Sequence, residues 1–224
     1  KLFSIYKFVN SFYKVLNNLT LYLYNNMKKK ILVFTGAGVS AESGVETFRD
    51  TNGLWCNHKI EDVATPAGWA KDRAAVLGFY NERRRQLPDV VPNDGHKLIA
   101  ELEKDYDVTV VTQNVDDLHE RAGSTNVIHL HGELTKVRST YNPQFVYDWG
   151  YKPLHIGDKC IKGSQLRPDV VWFGEELDEE LVALATEKIY EADYIIIIGT
   201  SLEVYPANRI PFYNNNEEVP IYII

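Results

Sequence analysis

Near its start the chain runs Ile31-Leu32-Val33-Phe34-Thr35 straight into Gly36-Ala37-Gly38-Val39-Ser40-Ala41. An apolar, β-branched run with no polar face reads as a strand covered on both sides, as in a parallel sheet. The G-x-G-x-x-A that follows calls for a tight strand-to-helix turn, in which glycine lets another group approach the backbone closely. Such a turn is a candidate phosphate cradle, because backbone N–H groups and the dipole of a following helix favour an anion. A tight turn without any ligand would use the same residues.

The rest of the chain repeats this unit. Apolar runs recur at 108–112, 126–130, 170–173, 194–198 and 219–224, with helix-length segments such as 97–104 and 179–192 among them. Strands alternating with helices predict an α/β fold, a Rossmann-like doubly wound parallel sheet. Two stretches break the rhythm: 50–93 is helical and aromatic, and 134–168 is rich in turns and Tyr. Residues 27–49, 94–133 and 169–224 are therefore expected to form a discontinuous nucleotide-binding domain, with 50–93 and 134–168 as a smaller inserted module. Residues 1–26 carry no acidic side chain, and Lys7, Lys14 and several Asn interrupt their apolar stretches, so no membrane span is expected there. Met27, followed by three lysines and the first strand, looks like a natural start, which makes 1–26 an extension or leader.

Composition narrows the function. At 224 residues and 45% hydrophobic, the chain can bury a sizeable core. A net charge of −7 argues against direct nucleic-acid binding, which needs a basic surface to neutralise phosphates. The two cysteines, Cys56 and Cys160, lack the spacing of a zinc site or of a disulfide-stapled domain, and point to a reducing cytoplasmic setting.

Two further clusters sit at strand ends. Thr112-Gln113-Asn114-Val115-Asp116-Asp117-Leu118-His119 follows the 108–112 run. In an open α/β sheet the C-terminal strand ends face the ligand crevice, where amides and a carboxylate can bond a ribose or a carboxamide. Helix capping explains one of these residues, not the whole cluster. His129-Leu130-His131-Gly132-Glu133 ends another run, and a histidine there can serve as a base near neutral pH. Alternation puts His129 and His131 on the same side and does not choose between them. A dehydrogenase would show a ribose-binding acid about twenty residues past the glycines; here the chain runs through Phe48-Arg49-Asp50 into the aromatic insertion instead.

Taken together, Gly36-Ala37-Gly38-Val39-Ser40, Thr47-Phe48-Arg49, Thr112-Gln113-Asn114-Val115-Asp116, His129-Leu130-His131-Gly132 and Gly199-Thr200-Ser201 resemble the sirtuins, in the right order and from about Ile31 onward. The resemblance implies NAD as co-substrate and acylated lysine in proteins or peptides as the partner. The same resemblance implies a reaction in which the acyl oxygen would attack the nicotinamide ribose, nicotinamide would leave, and His131 as general base would deprotonate a ribose hydroxyl so that the acyl group departs on ADP-ribose. It places Gly36, Ala37, Gly38, Ser40, Phe48, Arg49, Trp55, Gln113, Asn114, Asp116, Gly199, Thr200 and Ser201 around NAD. Val171, Trp172, Phe173 and Gly174 match the strand that pairs with an extended substrate peptide.

Phe79-Tyr80-Asn81-Glu82-Arg83-Arg84 resembles the Tyr-x-x-Arg pair of the desuccinylase branch. Three apart on a helix, Tyr80 and Arg83 share a face and could converge on the carboxylate of a succinyl or malonyl group, with Ala64 leaving room for the acyl chain. Taken without the family, Arg83, Arg84 and Arg85 read as a solvated helix face. Sirtuins commonly carry two cysteine pairs that hold a structural zinc; here Ser139 stands at a cysteine position and only Cys160 remains of the second pair, so no zinc is predicted. Tyr141, Phe145, Tyr147, Trp149 and Tyr151 are the candidates for an aromatic cluster holding that module together. The chain stops at Ile224, where the resemblance would continue into an Asn-x-Glu turn at the adenosine ribose, and truncation is the expectation. A monomer is expected. Other readings of the same residues are a nicotinamide-dinucleotide oxidoreductase and an NAD-binding module without turnover.

Overall fold

The computed structural model describes residues 28–45, 54–55 and 58–224. In chain order they form β1 (Lys30–Thr35), α1 (Gly38–Ala41), a hairpin of β2 (Leu54–Trp55) and β3 (His58–Lys59), and helices α2 (Ile60–Val63), α3 (Pro66–Lys71), α4 (Arg73–Gln86) and α5 (Asp94–Leu102). There follow β4 (Asp107–Thr112), α6 (Leu118–Ala122), β5 (Val127–His129), β6 (Gly132–Ser139), β7 (Val146–Asp148), β8 (Leu166–Val170), α7 (Glu179–Glu191), β9 (Tyr194–Ile198) and β10 (Ile221–Ile223).

The apolar runs do what their composition requires. Five strands lie parallel in the order β10-β9-β1-β4-β5. Alternate residues of β1 serve two cores: Leu32 and Phe34 pack with Ile189, Ile195 and Ile197 towards α7, while Ile31 and Val33 pack with Ile99 and Val110 towards α5. Local chemistry starts the helices. Asp72 caps α4 through Ala75 N, Asn93 caps α5 through Gly95 and His96 N, and Asp178 caps α7 through Glu180 and Leu181 N.

Strand order reverses at β1. The chain leaves β1 for β4 and β5 on one side, and β9 and β10 lie on the other. The C-terminal ends of β1 and β9 therefore flank a topological switch point, where open α/β sheets bind ligands.

The run 170–173, read as one more apolar strand of the parallel sheet, belongs elsewhere. The strand is β8, ending at Val170, and it pairs antiparallel with β6, which also pairs with β7. Sequence reading saw only turns in 134–168, whereas β6 and β7 lie within or across that stretch. The mixed burial along β6, with Leu134, Val137 and Ser139 buried, hides the period-two signal, and its pairing with β8 shifts register between Glu133 and Val137. The proposed aromatic cluster does not form: Tyr141 is 69% and Tyr151 41% exposed. The core here is instead Leu134, Val137, Leu154, Leu166 and Val170 packed on Trp69, Phe79, Tyr80 and Trp172, with Tyr147 and Trp149 only at its edge. Aliphatic side chains from two distant segments close this core, a pairing that a single segment's composition does not reveal.

Candidate active site

The glycine turn after β1 locks onto the turn after β9. Gly36 N donates to Ile198 O at 3.2 Å and Gly38 N to Gly199 O at 2.8 Å. A Cβ on Gly36 would lie 2.7 Å from Thr200 Cβ, and one on Gly38 2.7 Å from Gly199 O. Gly199 has φ +61, and a Cβ there would lie 2.3 Å from Val39 N. These glycines thus let two loops interlock at the switch point. The dipole expected from the following helix is weak, because α1 is only four residues and Val39 and Ser40 N are bonded back to Gly36 and Ala37 O. What remains is a close crossing of two glycine turns with little dipole behind it.

Beside it stands a buried polar triad. Ser40 Oγ donates to Asp116 Oδ2 at 3.1 Å and accepts from Asn114 Nδ2 at 3.0 Å. Leu118 N donates to Asp116 Oδ1 at 3.2 Å, and Asn114 N donates to Thr112 Oγ1 at 3.0 Å. Burial pushes the Asp116 carboxyl upward, against the pull of the Leu118 N–H and the Ser40 hydroxyl. Gln113 reaches across the switch point, its Nε2 donating to Thr200 Oγ1 at 2.9 Å. Ser201 beside Thr200 is exposed.

Hydrogen bonding separates the two histidines that alternation left together. His129 faces acceptors at both nitrogens: Nδ1 lies 2.9 Å from Asn114 O and Nε2 2.8 Å from Glu120 Oε1. Burial opposes its charge, but the Glu120 carboxylate outweighs burial and its pKa is raised. A ring with a proton committed to each side is a strut and cannot serve as a base. His131 has Nδ1 at 3.0 Å from Gln113 O, which places the proton on Nδ1 and leaves Nε2 as the basic nitrogen. Burial lowers its pKa, with the Gln113 carbonyl pulling the other way, so it is neutral at pH 7.

Sequence reading missed the layer beneath. His119 Nε2 lies 3.0 Å from Thr35 Oγ1, which donates to Thr112 Oγ1 at 2.8 Å, and His96 Nε2 lies 3.4 Å from Ser40 Oγ. The two rings meet edge to face at 4.8 Å. Burial drives the pKa of His96 down to about 4 and that of His119 down to about 3. His119 stood in the Asp116-Asp117-Leu118-His119 run without an assigned role; His96 carried no signal beyond the start of its helix.

The residues assigned to the acyl-lysine side also converge. Ala64, Tyr80 and Trp172 share one core; Ala64 O accepts Phe173 N at 3.0 Å, and Trp172 Nε1 donates to the Tyr80 hydroxyl at 2.9 Å. Tyr80 is wholly enclosed, and its hydroxyl pKa is raised by burial. Arg83 is half-buried with its guanidinium 5.8 Å from the centre of the Phe79 ring. The basic run is no uniform solvated face: Arg84 is completely buried, donating from Nε to Leu134 O at 2.7 Å, and only Arg85 is exposed. Trp55 lies in β2, while Phe48, Arg49 and Cys56 lie outside the described residues.

The profile of the Sir2 family matches residues 36–206, spanning every element just described from the glycine turn to the loop after β9. The chain belongs to the Sir2 family. An NAD-dependent protein deacylase of Helicobacter pylori is 53% identical over 195 residues, covering 87% of this chain and 82% of the relative. A protein of the same name from Bacteroides thetaiotaomicron is 54% identical over 192 residues, 83% of this chain and 80% of its own. Among solved structures, a Sir2 homolog–NAD complex superposes with a TM-score of 0.78 at 43% identity, covering 88% of this chain and 77% of that one. A Sir2 homologue mutant bound to ADP-ribose reaches 0.80 at 42% identity, with 88% and 80% covered.

In this sirtuin Ser139 and Cys160, the two positions compared above with zinc cysteines, meet, Ser139 Oγ donating to Cys160 Sγ at 3.2 Å. The residues there are a hydroxyl and one thiol, which do not fit a tetrahedral zinc site, and among the described residues no three His, Cys, Asp or Glu side chains converge on a metal position. No helix among them is long and apolar enough to cross a membrane. A cleft of about 420 Å³ lined by Lys28, Lys30, Glu103 and Asp107 opens at the other, N-terminal end of β1 and β4. Its lysines are engaged, Lys28 with Glu103 and Lys104 carbonyls and Lys30 with Glu191, and it lies at the opposite end of the sheet from Asn114, Asp116 and His131.

Proposed function

We propose that this chain is an NAD-dependent protein deacylase that removes acyl groups from lysine side chains and prefers acidic acyl groups such as succinyl. The observation that carries the activity is His131: a half-buried neutral imidazole whose Nδ1 proton is committed to Gln113 O, in the same segment after β4 whose Asn114 and Asp116 side chains bond Ser40. That donor and acceptor set suits ribose hydroxyls and a carboxamide, and the glycine-lined crossing of two loops suits a pyrophosphate, so the site fits NAD. NAD supplies a glycosidic bond to nicotinamide and a ribose to carry the acyl group away.

The chain's own residues then divide the work. Nε2 of His131 takes a ribose proton as general base. Asn114, Asp116 and Ser40 hold the sugar, while Gln113 ties the His131 carbonyl contact to Thr200 across the cleft. On this reading residues 27–49, 94–133 and 169–224 carry NAD, and 50–93 with 134–168 form the module that covers it. Segment 171–174 docks the peptide. Val171, Trp172 and Phe173 N–H groups are already bonded to His131 O, Glu175 Oε2 and Ala64 O, so a docked peptide cannot draw on those three donors.

The acyl preference is supported by Ala64, Tyr80 and Trp172 lining one enclosed core with Arg83 one helical turn from Tyr80. A structural relative at 34% identity is described with a myristoylated histone peptide, so acyl groups well beyond acetyl are bound by at least one such protein. A monomer in the reducing cytoplasm fits the acidic charge and the two widely spaced cysteines.

Mass spectrometry of matched acetyl- and succinyl-lysine peptides, with and without NAD, tests this reading. NAD-dependent acyl-ADP-ribose, faster with succinyl and lost in His131→Ala, is the expected result. Turnover that survives His131→Ala would overturn the assignment of the base.

A further inference from the structure

Segment 171–174 belongs to no sheet, yet the N–H groups of Val171, Trp172 and Phe173 are all bonded. β8 ends at Val170, and the turn that follows is made by Gly174, whose φ of +86 folds Glu175 back beneath Trp172. There Glu175 meets two guanidiniums. Arg167 Nη1 and Nη2 grip Oε1 and Oε2 at 2.5 and 3.0 Å, a bidentate pair, and Arg138 Nη2 reaches Oε2 at 2.9 Å. The same Oε2 accepts Trp172 N at 2.9 Å. Both arginines also bond Val170 O, at 3.1 Å from Arg138 and 2.8 Å from Arg167. The Arg167 guanidinium lies against the Trp172 ring, 3.2 Å from its centre, while the far side of that indole donates to Tyr80.

Partly burying this charge is a poor way to gain stability. A buried ion pair is often no better than apolar side chains of equal volume, because desolvation offsets the attraction. What it does supply is direction: planar guanidiniums and a carboxylate fix angles as well as distances. Its hydrogen bonds outside the three side chains go to Val170 O and from Trp172 N. Asp169, 3.8 Å from Arg138, balances the second arginine, so the cluster is neutral as a whole.

We propose that Arg138, Arg167 and Glu175 form a charged clasp whose role is to hold segment 171–174 in register with His131 for an acyl-lysine peptide. The proposal rests on the reading of that segment as the peptide dock. These are positioning residues: they reach the substrate only through Trp172 and the backbone they hold. Val171 N on His131 O links the same segment to the base. Loosening the clasp therefore weakens peptide binding, while NAD binding at the β1/β9 crossing is untouched.

The test compares Glu175→Gln, Arg138→Gln and Phe173→Ala in the full chain. Peptide KM and kcat are measured at saturating NAD, NAD Kd by calorimetry, and folding by thermal unfolding. Glu175→Gln keeps the shape but removes the charge, and a loss of charge-assisted bonding predicts a rise of about tenfold in peptide KM with kcat and NAD Kd near wild type. Arg138→Gln leaves the bidentate pair and should raise KM less. Phe173→Ala alters an exposed side chain of the segment itself and reports on the dock alone. A raised KM in Phe173→Ala with an unchanged KM in Glu175→Gln overturns the clasp but keeps the dock. No change in either overturns the dock. A parallel fall in stability, NAD affinity and kcat marks a merely structural role and also overturns the clasp. If Glu175→Gln does not fold, Arg138→Gln decides, and an unchanged peptide KM there rejects the proposal.

Discussion

Replacing Gly199 by alanine isolates the close approach of the two loops that build the NAD cleft. Gly199 has φ +61, and an added Cβ would sit 2.3 Å from Val39 N and 2.7 Å from Gly38 C, backbone atoms with no flexible end to swing away. Gly150 is the matched control, with φ +65 and nothing within 4 Å of an added Cβ. Both alanines incur left-handed strain of about 1–2 kcal/mol. Gly199→Ala alone adds overpacking against backbone, about 1–3 kcal/mol more. With a urea m-value of about 2 kcal/mol/M, that excess lowers the unfolding midpoint by roughly 0.5–1.5 M beyond the control. The backbone shift that relieves the clash also widens the cleft, so the NAD Kd rises for Gly199→Ala and holds for Gly150→Ala. Equal destabilisation of the two variants, with NAD affinity unchanged, would refute the interlocked-loop account.

Three further outcomes follow from the site. The acid limb of kcat/KM should lie below pH 6.5, the ordinary imidazole value, because burial lowers the His131 pKa and only the neutral ring is a base; an acid limb above that pH contradicts the assigned environment. His96, held at about 4 against 6.5 unfolded, makes the unfolded chain the better proton binder between those values, so stability falls as pH drops through that window. At about 1.4 kcal/mol for each pH unit that separates the folded and unfolded values, the loss comes to about 3 kcal/mol; denaturation midpoints from pH 7 to 4 should show it, and His96→Gln should flatten the slope. Arg83→Met should depress succinyl turnover selectively, removing charge-assisted bonds of about 1.5–3 kcal/mol; equal loss with acetyl peptide argues against that role.

Much of this was legible in the amino-acid order, because local rules decide it. Apolar run length placed β1, β4 and β9 nearly to the residue, and the glycines after β1 and the amide and carboxylate after β4 marked the switch point. The helix-length segment 179–192 matches α7 almost to the residue, whereas 97–104 misses the first turn of α5, which Asn93 caps. Tertiary structure decided the rest. His129 and His131 are equivalent by alternation, and only the acceptors brought to them, Glu120 and two main-chain carbonyls, make one a strut and the other a base. The run 170–173 has a core strand's composition, but β6 claims β8 and turns Trp172 towards Tyr80, which lies 92 residues away in sequence. Arg84 and Arg85 are alike and adjacent in sequence, and burial separates them because a helix turns by about 100° per residue. Period and turn chemistry act over a few residues and can be read from the chain; proton positions, buried charges and strand partners depend on atoms that only folding brings together.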